Sequence, residues 1–563
     1  KAEGTILYEN GTGTDSIKPV NGSNNASGNC SNIGGGESNT VSGLFGTIGG
    51  GFLHTVSGTY SVIAGGRRNT AGPGRCSTVS GGYCNQAQAP FSVVAGGYAS
   101  CARTTSSFIG GGHTHDVCGN CGIIVGGRGH RVYSEHSTIV GGWNQSNYGT
   151  AAFIGTGCAN NIGSSATGDN SQLSVIVGGY TNCISGSGYS FIGGGYDNHI
   201  EITSFSSIVG GRQNEAKGSC SFVGAGRENC ACGGTSTVSG GYSNSATGNC
   251  STVGGGRSNA ASECSSTIAG GKSNTASCCY TSIGGGQNNT AKHRWSTVGG
   301  GLCNIASGST STISGGYKNH INTTEGTTTI GGGDNNTVSK VGGTISGGYK
   351  NIVTKDYGFI GGGSSNCNAG FCATIVGGKH NTASAQFDVI GGGQENNLDT
   401  ASNTFKFIGG GYQNYNCGGC SAILGGKQNR LTHANSHIIG SNLTSSAACT
   451  TFVNSLNVSG SLQTYDAKFY YNDSIKQLRL QGDSSNAPLR LDNVQANAEE
   501  TKVALILNSS DGGVEKTTLG SNAFTSTTIP TNNNQLTNGA GYVTGAFPFT
   551  GSGGISGSLE IIC

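Results

Sequence analysis

The chain has 563 residues, of which 106 are glycine, 22 cysteine, two tryptophan and none methionine; an ordinary compact domain of this length would carry more large apolar side chains. Charged residues are 10% of the total and the formal net charge is +2, so neither an electrostatic grip on nucleic acid nor a polybasic membrane anchor is expected. No apolar run approaches the ~18 residues that a membrane span requires, so no membrane insertion is expected.

The chain opens on "KAEGTILYEN", which has no initiator methionine and no signal-peptide h-region. A piece or processed product of a longer chain is the expectation. Residues 1–29 are polar and rich in Asn, Gly and Ser, as befits an entry segment or joint. From residue 30 to about 440 the sequence is one repeat. Aligned on the first glycine of each Gly-Gly pair, and counting Thr156-Gly157 and Ala225-Gly226 as degenerate forms, it has 26 copies, mostly 15 residues apart.

Three columns carry the pattern. Two residues before the first glycine, all 26 copies have Ile or Val, as at Ile48, Ile63, Val79, Val94 and Ile109. Six residues after it, 23 copies have Ala, Val, Ile or Leu, with Asn147, Asn368 and Asn416 as exceptions. Two inward apolar positions per repeat predict two short strands, with the glycine pair as a corner needing positive φ or close backbone approach. Four residues after the glycine, 21 copies have Asn, including Asn244, Asn259 and Asn274. Asn tolerates left-handed backbone, and stacked copies predict a side-chain ladder.

A 15-residue period is too short for helical or leucine-rich repeats. Thr, Val and Phe before the Ile/Val column favour extended chain. The predicted fold is all-β: a parallel β-solenoid or β-roll of about 26 coils, followed by a smaller β-rich domain. At ~4.8 Å per coil the rod would be roughly 125 Å long. Two dependable apolar positions per coil are thin cover against ~1–2 kcal/mol of backbone entropy per ordered residue. Association of three chains, burying a second face, would make up the deficit.

The cysteines follow the repeat. Seven, including Cys30, Cys76 and Cys121, share the slot five residues before the glycine pair, and Cys101, Cys183, Cys230 and Cys367 share the slot five after it. They are expected to be small buried apolar residues rather than a disulfide framework. Three spacings exceed the rule by two residues or more: the step to Gly178, which adds residues around 163–172, and the steps to Gly332 and Gly410. Insertions in solenoids form surface loops. The first supplies a candidate receptor-contact loop: Ser164, Ser165, Thr167, Asp169, Asn170 and Gln172.

No chemical motif stands out. "CGNC" at Cys118–Cys121 and "CGGC" at Cys417–Cys420 each lack a second ligand pair. "HTH", His113–His115, could offer six imidazoles to a metal on a three-fold axis, but it occurs once and suits ordinary corner substitution. The glycine corners lack the Gly-Lys-Ser/Thr of a phosphate loop. No catalytic residues, metal or cofactor are expected. Beyond residue 441, alternating segments such as "AKFYYND", "KQLRLQG" and "KVALILNSSDGG" predict a separate β domain over 441–563.

The run "STVSGGYSNSATGNCSTVGGGRSNAASECSSTIAGGKSNTAS", residues 236–277, resembles the head repeats of trimeric autotransporter adhesins and the related repeats of viral tail fibres. The doubled glycine and the Asn column depart from the adhesin pattern. The tail segments "LNVSGSLQ" and "IPTNNNQLTNGAGYVT" are similar to those that follow the shaft in marine and cyanobacterial phage fibres. The resemblance implies a homotrimeric structural fibre on the virion surface. It also implies partners among other fibre or baseplate proteins, a host cell-surface glycan or protein as receptor, and a C-terminal chaperone that is cleaved off. The alternative is a bacterial trimeric surface adhesin at the cell surface. A glycan-cleaving fibre needs carboxylates placed across a groove, for which the coils are narrow and poor in acid. An ice-binding solenoid needs Thr in nearly every copy of one column, which Phe interrupts here.

Overall fold

The computed structural model describes residues 7–165, 171–400, 405–458, 503–507, 514–518 and 559–562. The chain forms two compact units, Lys1–Ser365 and Asn366–Cys563; the boundary expected at 441 falls inside the second. Both contain the same coil, and the protein is a parallel β-solenoid. Among the described residues there is no helix, and hence none long and apolar enough to cross a membrane.

One coil of the first unit shows how the columns become structure. Ser245–Ala246 and Thr252–Val253 are its two strands, and the inward members Ala246 and Val253 are fully buried. Each strand pairs in parallel with its equivalents one coil away: Thr237 and Val238 on one side of Thr252 and Val253, Thr267 and Ile268 on the other. The ladder bonds run from coil to coil, as from Thr252 N to Ser266 O at 2.9 Å and from Gly254 N to Ile268 O at 2.8 Å. The Ile/Val strands stack into a first sheet and the strands after the glycines into a second. The corner adds a third paired position that the sequence did not suggest: Tyr242 bridges in parallel to Arg227 and Arg257.

The two glycines of the corner have different jobs. In all 26 copies the second has φ between +83° and +116°, and a Cβ on it would run into the next coil; on Gly82 it would lie 2.2 Å from the Gly97 carbonyl oxygen. A Cβ on the first would meet open space, as at Gly81, Gly96 and Gly126. The degenerate copies obey this difference, since Thr156 and Ala225 replace the first glycine while Gly157 and Gly226 keep the second.

A third inward column lies four residues before the glycine pair and is mostly serine. Ser61, Ser92, Ser221 and Ser311 are buried there, and the hydroxyl of Ser92 donates to the Ala89 carbonyl at 2.6 Å, that of Ser311 to Gly308 at 2.6 Å. Where glycine takes the slot, as at Gly46, a Cβ would press on the Val41 and Val56 side chains at 2.7 and 2.9 Å.

The cysteines are not buried as expected. Of the free thiols among the described residues only Cys101 is buried, and Cys220, Cys250, Cys420 and Cys449 are exposed. The slot five before the glycines turns the chain with left-handed backbone, φ being +55° at Cys30, Cys76 and Cys121, and this aims the side chain outward. Tyr280 (+59°) and Trp295 (+58°) accept the same conformation. Each such residue costs roughly 1–2 kcal/mol, offset by a bond to the preceding coil, such as Tyr280 N to Cys264 O at 2.9 Å.

The coils begin earlier than residue 30. Ile17 already pairs in parallel with Asn32, and Ala26 is fully buried. A short antiparallel pair, Tyr8–Asn10 with Ile17–Pro19, precedes them. In the second unit the parallel ladder continues from His437–Ile439 to Thr451–Val453. Two antiparallel pairs follow: Ser455–Val458 with Leu559–Ile562, and Val503–Leu507 with Val514–Thr518. The last of these contains the "VALIL" of the predicted "KVALILNSSDGG" segment; "AKFYYND" and "KQLRLQG" lie outside the described residues.

Candidate functional site

Ile48, Ile63, Val79, Val94 and Ile109 are fully buried, one per coil, in successive strands of the first sheet. Asn244, Asn259 and Asn274 form the Asn ladder, whose geometry repeats from rung to rung. The Asn259 N–H donates to Asn244 Oδ1 at 3.0 Å, and Asn259 Oδ1 accepts from Asn274 N at 3.0 Å. Its Nδ2 donates to the Gly255 carbonyl at 2.9 Å and to the Gly271 carbonyl at 3.0 Å. The amide is therefore spent on its own corner and the next one, which leaves it nothing to offer a ligand.

The three exceptions in the apolar column solve a different problem. Asn147, Asn368 and Asn416 are fully buried and each braces its own turn. Asn416 donates to the Ser421 carbonyl at 3.2 Å and accepts from Gly418 N at 3.1 Å and Ser421 Oγ at 2.6 Å.

Histidine enters the Asn ladder at three rungs. His54 Nδ1 accepts from Asn69 N at 3.0 Å, His115 Nδ1 from His130 N at 3.1 Å, and His130 Nδ1 from Gln145 N at 3.2 Å. Nδ1 thus takes the place of Oδ1. Nε2 takes the place of Nδ2 beside the glycine carbonyls, though without a hydrogen bond of good geometry. Burial pushes His115 and His130 down to about 4 and lowers His54. The His-x-His pair is split by this arrangement: His115 is 1% exposed in the ladder, while His113 lies on the corner and stacks on Tyr98 with ring centres 4.5 Å apart. The two rings do not converge on one ion.

Of the predicted contact loop, Ser164 and Gln172 are half-buried and Ser165 is exposed. The Gln172 carbonyl accepts from Tyr189 N at 2.8 Å, tying the loop's far end to the next coil. Thr167, Asp169 and Asn170 lie outside the described residues.

The densest chemistry is elsewhere, on the outer face of the second sheet across three successive coils. Parallel register aligns His199 with Glu215 and Glu215 with Cys230. Residues two positions on, Glu201, Lys217 and Cys232, point outward with them. His199 Nε2 meets Asp197 Oδ1 at 2.9 Å, and its Nδ1 is 3.8 Å from Glu201 Oε1, so both ring nitrogens face carboxylates. Lys217 Nζ pairs with Glu215 Oε2 at 2.8 Å; this hydrogen bond raises the lysine's pKa. Arg227 pairs with Glu228 at 2.8 Å. Cys230 and Cys232 are joined as a disulfide. A depression of about 340 Å³, open to solvent, is lined by Gln213, Glu215, Glu228, Asn229 and Cys230. Sequence reasoning missed this patch because its members come from three copies and gather only when 15- and 16-residue steps are stacked. The signal was there, in outward slots filled by Glu, His and Cys where other coils have Ser or Thr.

No protein-family model matches the chain, and no curated protein matches it significantly.

Proposed function

We propose that the chain is a structural fibre protein for host attachment: a homotrimer in which the solenoid supplies reach and stiffness and loops or a distal tip contact a host-surface glycan or protein. The observation that carries this reading is an asymmetry between the two sheets. In the first unit, the outward slots of the first sheet hold no charged residue in any strand from Asn32–Ile33 to Phe359–Ile360. They are Thr, Val, Ser, Gly, Ala, Ile, Phe and one Asn, with Phe108, Phe153, Phe191 and Phe222 each 37–38% exposed. The second sheet's outer face in the same unit carries Arg103, Asp116, Arg131, Glu201, Glu215, Lys217 and Lys292. A face bare of charge over so many coils suits burial against copies of itself.

At ~4.8 Å per coil the strip is roughly 100 Å long, and alternate outward residues on a strand span ~7 Å. That gives about 700 Å² per chain, or about 350 Å² toward each of two neighbours in a trimer, so the flanking slots must supply the rest of a standard interface of about 800 Å² per partner.

The interface is tested by charge placement. Lysines at Thr252 and Thr297 on the first sheet should dissociate the assembly, whereas lysines at Ser245 and Thr290 on the second should leave its mass unchanged. Equal behaviour of the two variants would refute the assignment. Attachment is tested by deleting residues 164–172: the solenoid should remain folded, and unchanged binding to host cells would remove that loop as the contact. Placement on the virion surface goes with this reading; the bacterial surface adhesin is the runner-up and shares the same rod.

A further inference from the structure

We propose that Glu215, Cys230 and Cys232 form a binding site for a thiophilic divalent cation of the zinc class. The candidate ligand atoms of these three residues, one carboxylate oxygen and the two sulfurs that are joined as a disulfide in the structure, lie within 4.8 Å of one another. Their convergence is a consequence of the coil. Cys230 and Cys232 are alternate residues leaving the same face of one strand, and parallel register sets Glu215 beside Cys230 on the strand before. All three are half-buried, which limits competition from water without closing the site.

The donor set and surroundings fit such an ion. Zinc prefers four-coordinate sites with cysteine sulfur and carboxylate oxygen among the ligands. Three ligands come from the protein, and the site borders the depression lined by Gln213 and Glu228, from which water can supply the fourth; Glu228 itself is paired with Arg227. Two thiolates and one carboxylate around a divalent ion leave one net negative charge. Lys217, already paired with Glu215 Oε2 at 2.8 Å, balances it and favours the thiolates. His199 is not a ligand, since both its nitrogens face Asp197 and Glu201.

The disulfide between Cys230 and Cys232 is the oxidised form of the same site. A thiol or phosphine reductant supplies two electrons, the S–S bond breaks, and two protons complete the thiols. Metal binding then releases those two protons as the thiolates ligate. The site therefore binds metal only when reduced.

Cadmium titration of the full chain under a phosphine reductant, followed through sulfur-to-cadmium charge-transfer absorbance, tests the site against the background of the other cysteines. The wild-type chain should take up one more tight equivalent than C230S/C232S, and E215Q should keep the stoichiometry but bind that equivalent at least tenfold more weakly. C264S/C279S, which removes a second close pair with sulfurs 3.1 Å apart, should behave like wild type. The serine variants are expected to fold because Ser245 and Thr247 fill the same two slots one coil further on; unchanged circular dichroism checks this. Equal uptake by wild type and C230S/C232S would overturn the proposal, as would loss of the extra equivalent in C264S/C279S. If E215Q matches wild type in affinity, the carboxylate is not a ligand and the three-residue site is wrong.

Discussion

At the scale of single residues, one corner contains two glycines of opposite importance. Gly82 holds φ +86° with the Gly97 carbonyl where its Cβ would be, whereas Gly81 has open space around it. Gly82→Ala should cost more than ~2 kcal/mol through backbone strain and collision, and Gly81→Ala under ~1 kcal/mol; denaturant unfolding of the two variants checks the ratio. The ladder histidines make a pH prediction. Their folded pKa values are depressed from the ordinary 6.5, to about 4 at His115 and His130. Between those values the unfolded chain binds more protons, so stability is full above pH 6.5 and falls as pH falls toward 4. H115N/H130N should flatten that slope in unfolding curves, because Asn fills the same slot on 21 other rungs.

At the scale of the coil, the second unit contains the sharpest departure from the repeat. In adjacent rungs the serine column is replaced by Asp388 and Lys406, both fully buried, with Lys406 Nζ 3.7 Å from Asp388 Oδ1. Asp388 also accepts from Ala385 N at 2.8 Å, and Lys406 donates to the Asp399 carbonyl. Burial raises the Asp388 carboxyl's pKa despite the lysine. Removing either charge alone, as in Asp388→Asn or Lys406→Ala, should destabilise by about 3–5 kcal/mol, while serine at both positions restores the column and should cost less than either single change. Thermal unfolding of the three variants decides this.

The columns of large consistent residues, Ile48 through Ile109 and the Asn rungs, were legible in the sequence because burial and bonding at those positions tolerate few alternatives. The serine column was harder to see. It is equally inward, but Gly46, Ala152 and Thr281 fit it too, and serine is common everywhere in this chain. The left-handed slot was misread for a related reason. Nothing about Cys76, Phe91 or Tyr280 as residue types announces positive φ; only the ladder bond to the preceding coil makes that conformation tolerable. The 197–232 patch was missed for topological reasons: its unusual outward residues are visible in the sequence, but Glu215 and Cys230 are neighbours only after stacking.

At the scale of the whole molecule, a typical coil buries two apolar side chains together with one Ser and one Asn, as Val238, Ala246, Ser236 and Asn244 do, and the first sheet's outer face is left without charge through the first unit. The cores of single coils are too slight to explain why that face should be free of Lys and Glu, when the second sheet has both; the proposed contact between copies would account for it. Mass in solution tests the proposed trimer most directly. Sedimentation equilibrium of the folded protein should give about three times the 56.2 kDa of one chain, independent of concentration through the micromolar range. A folded species of one chain mass would contradict the trimeric fibre.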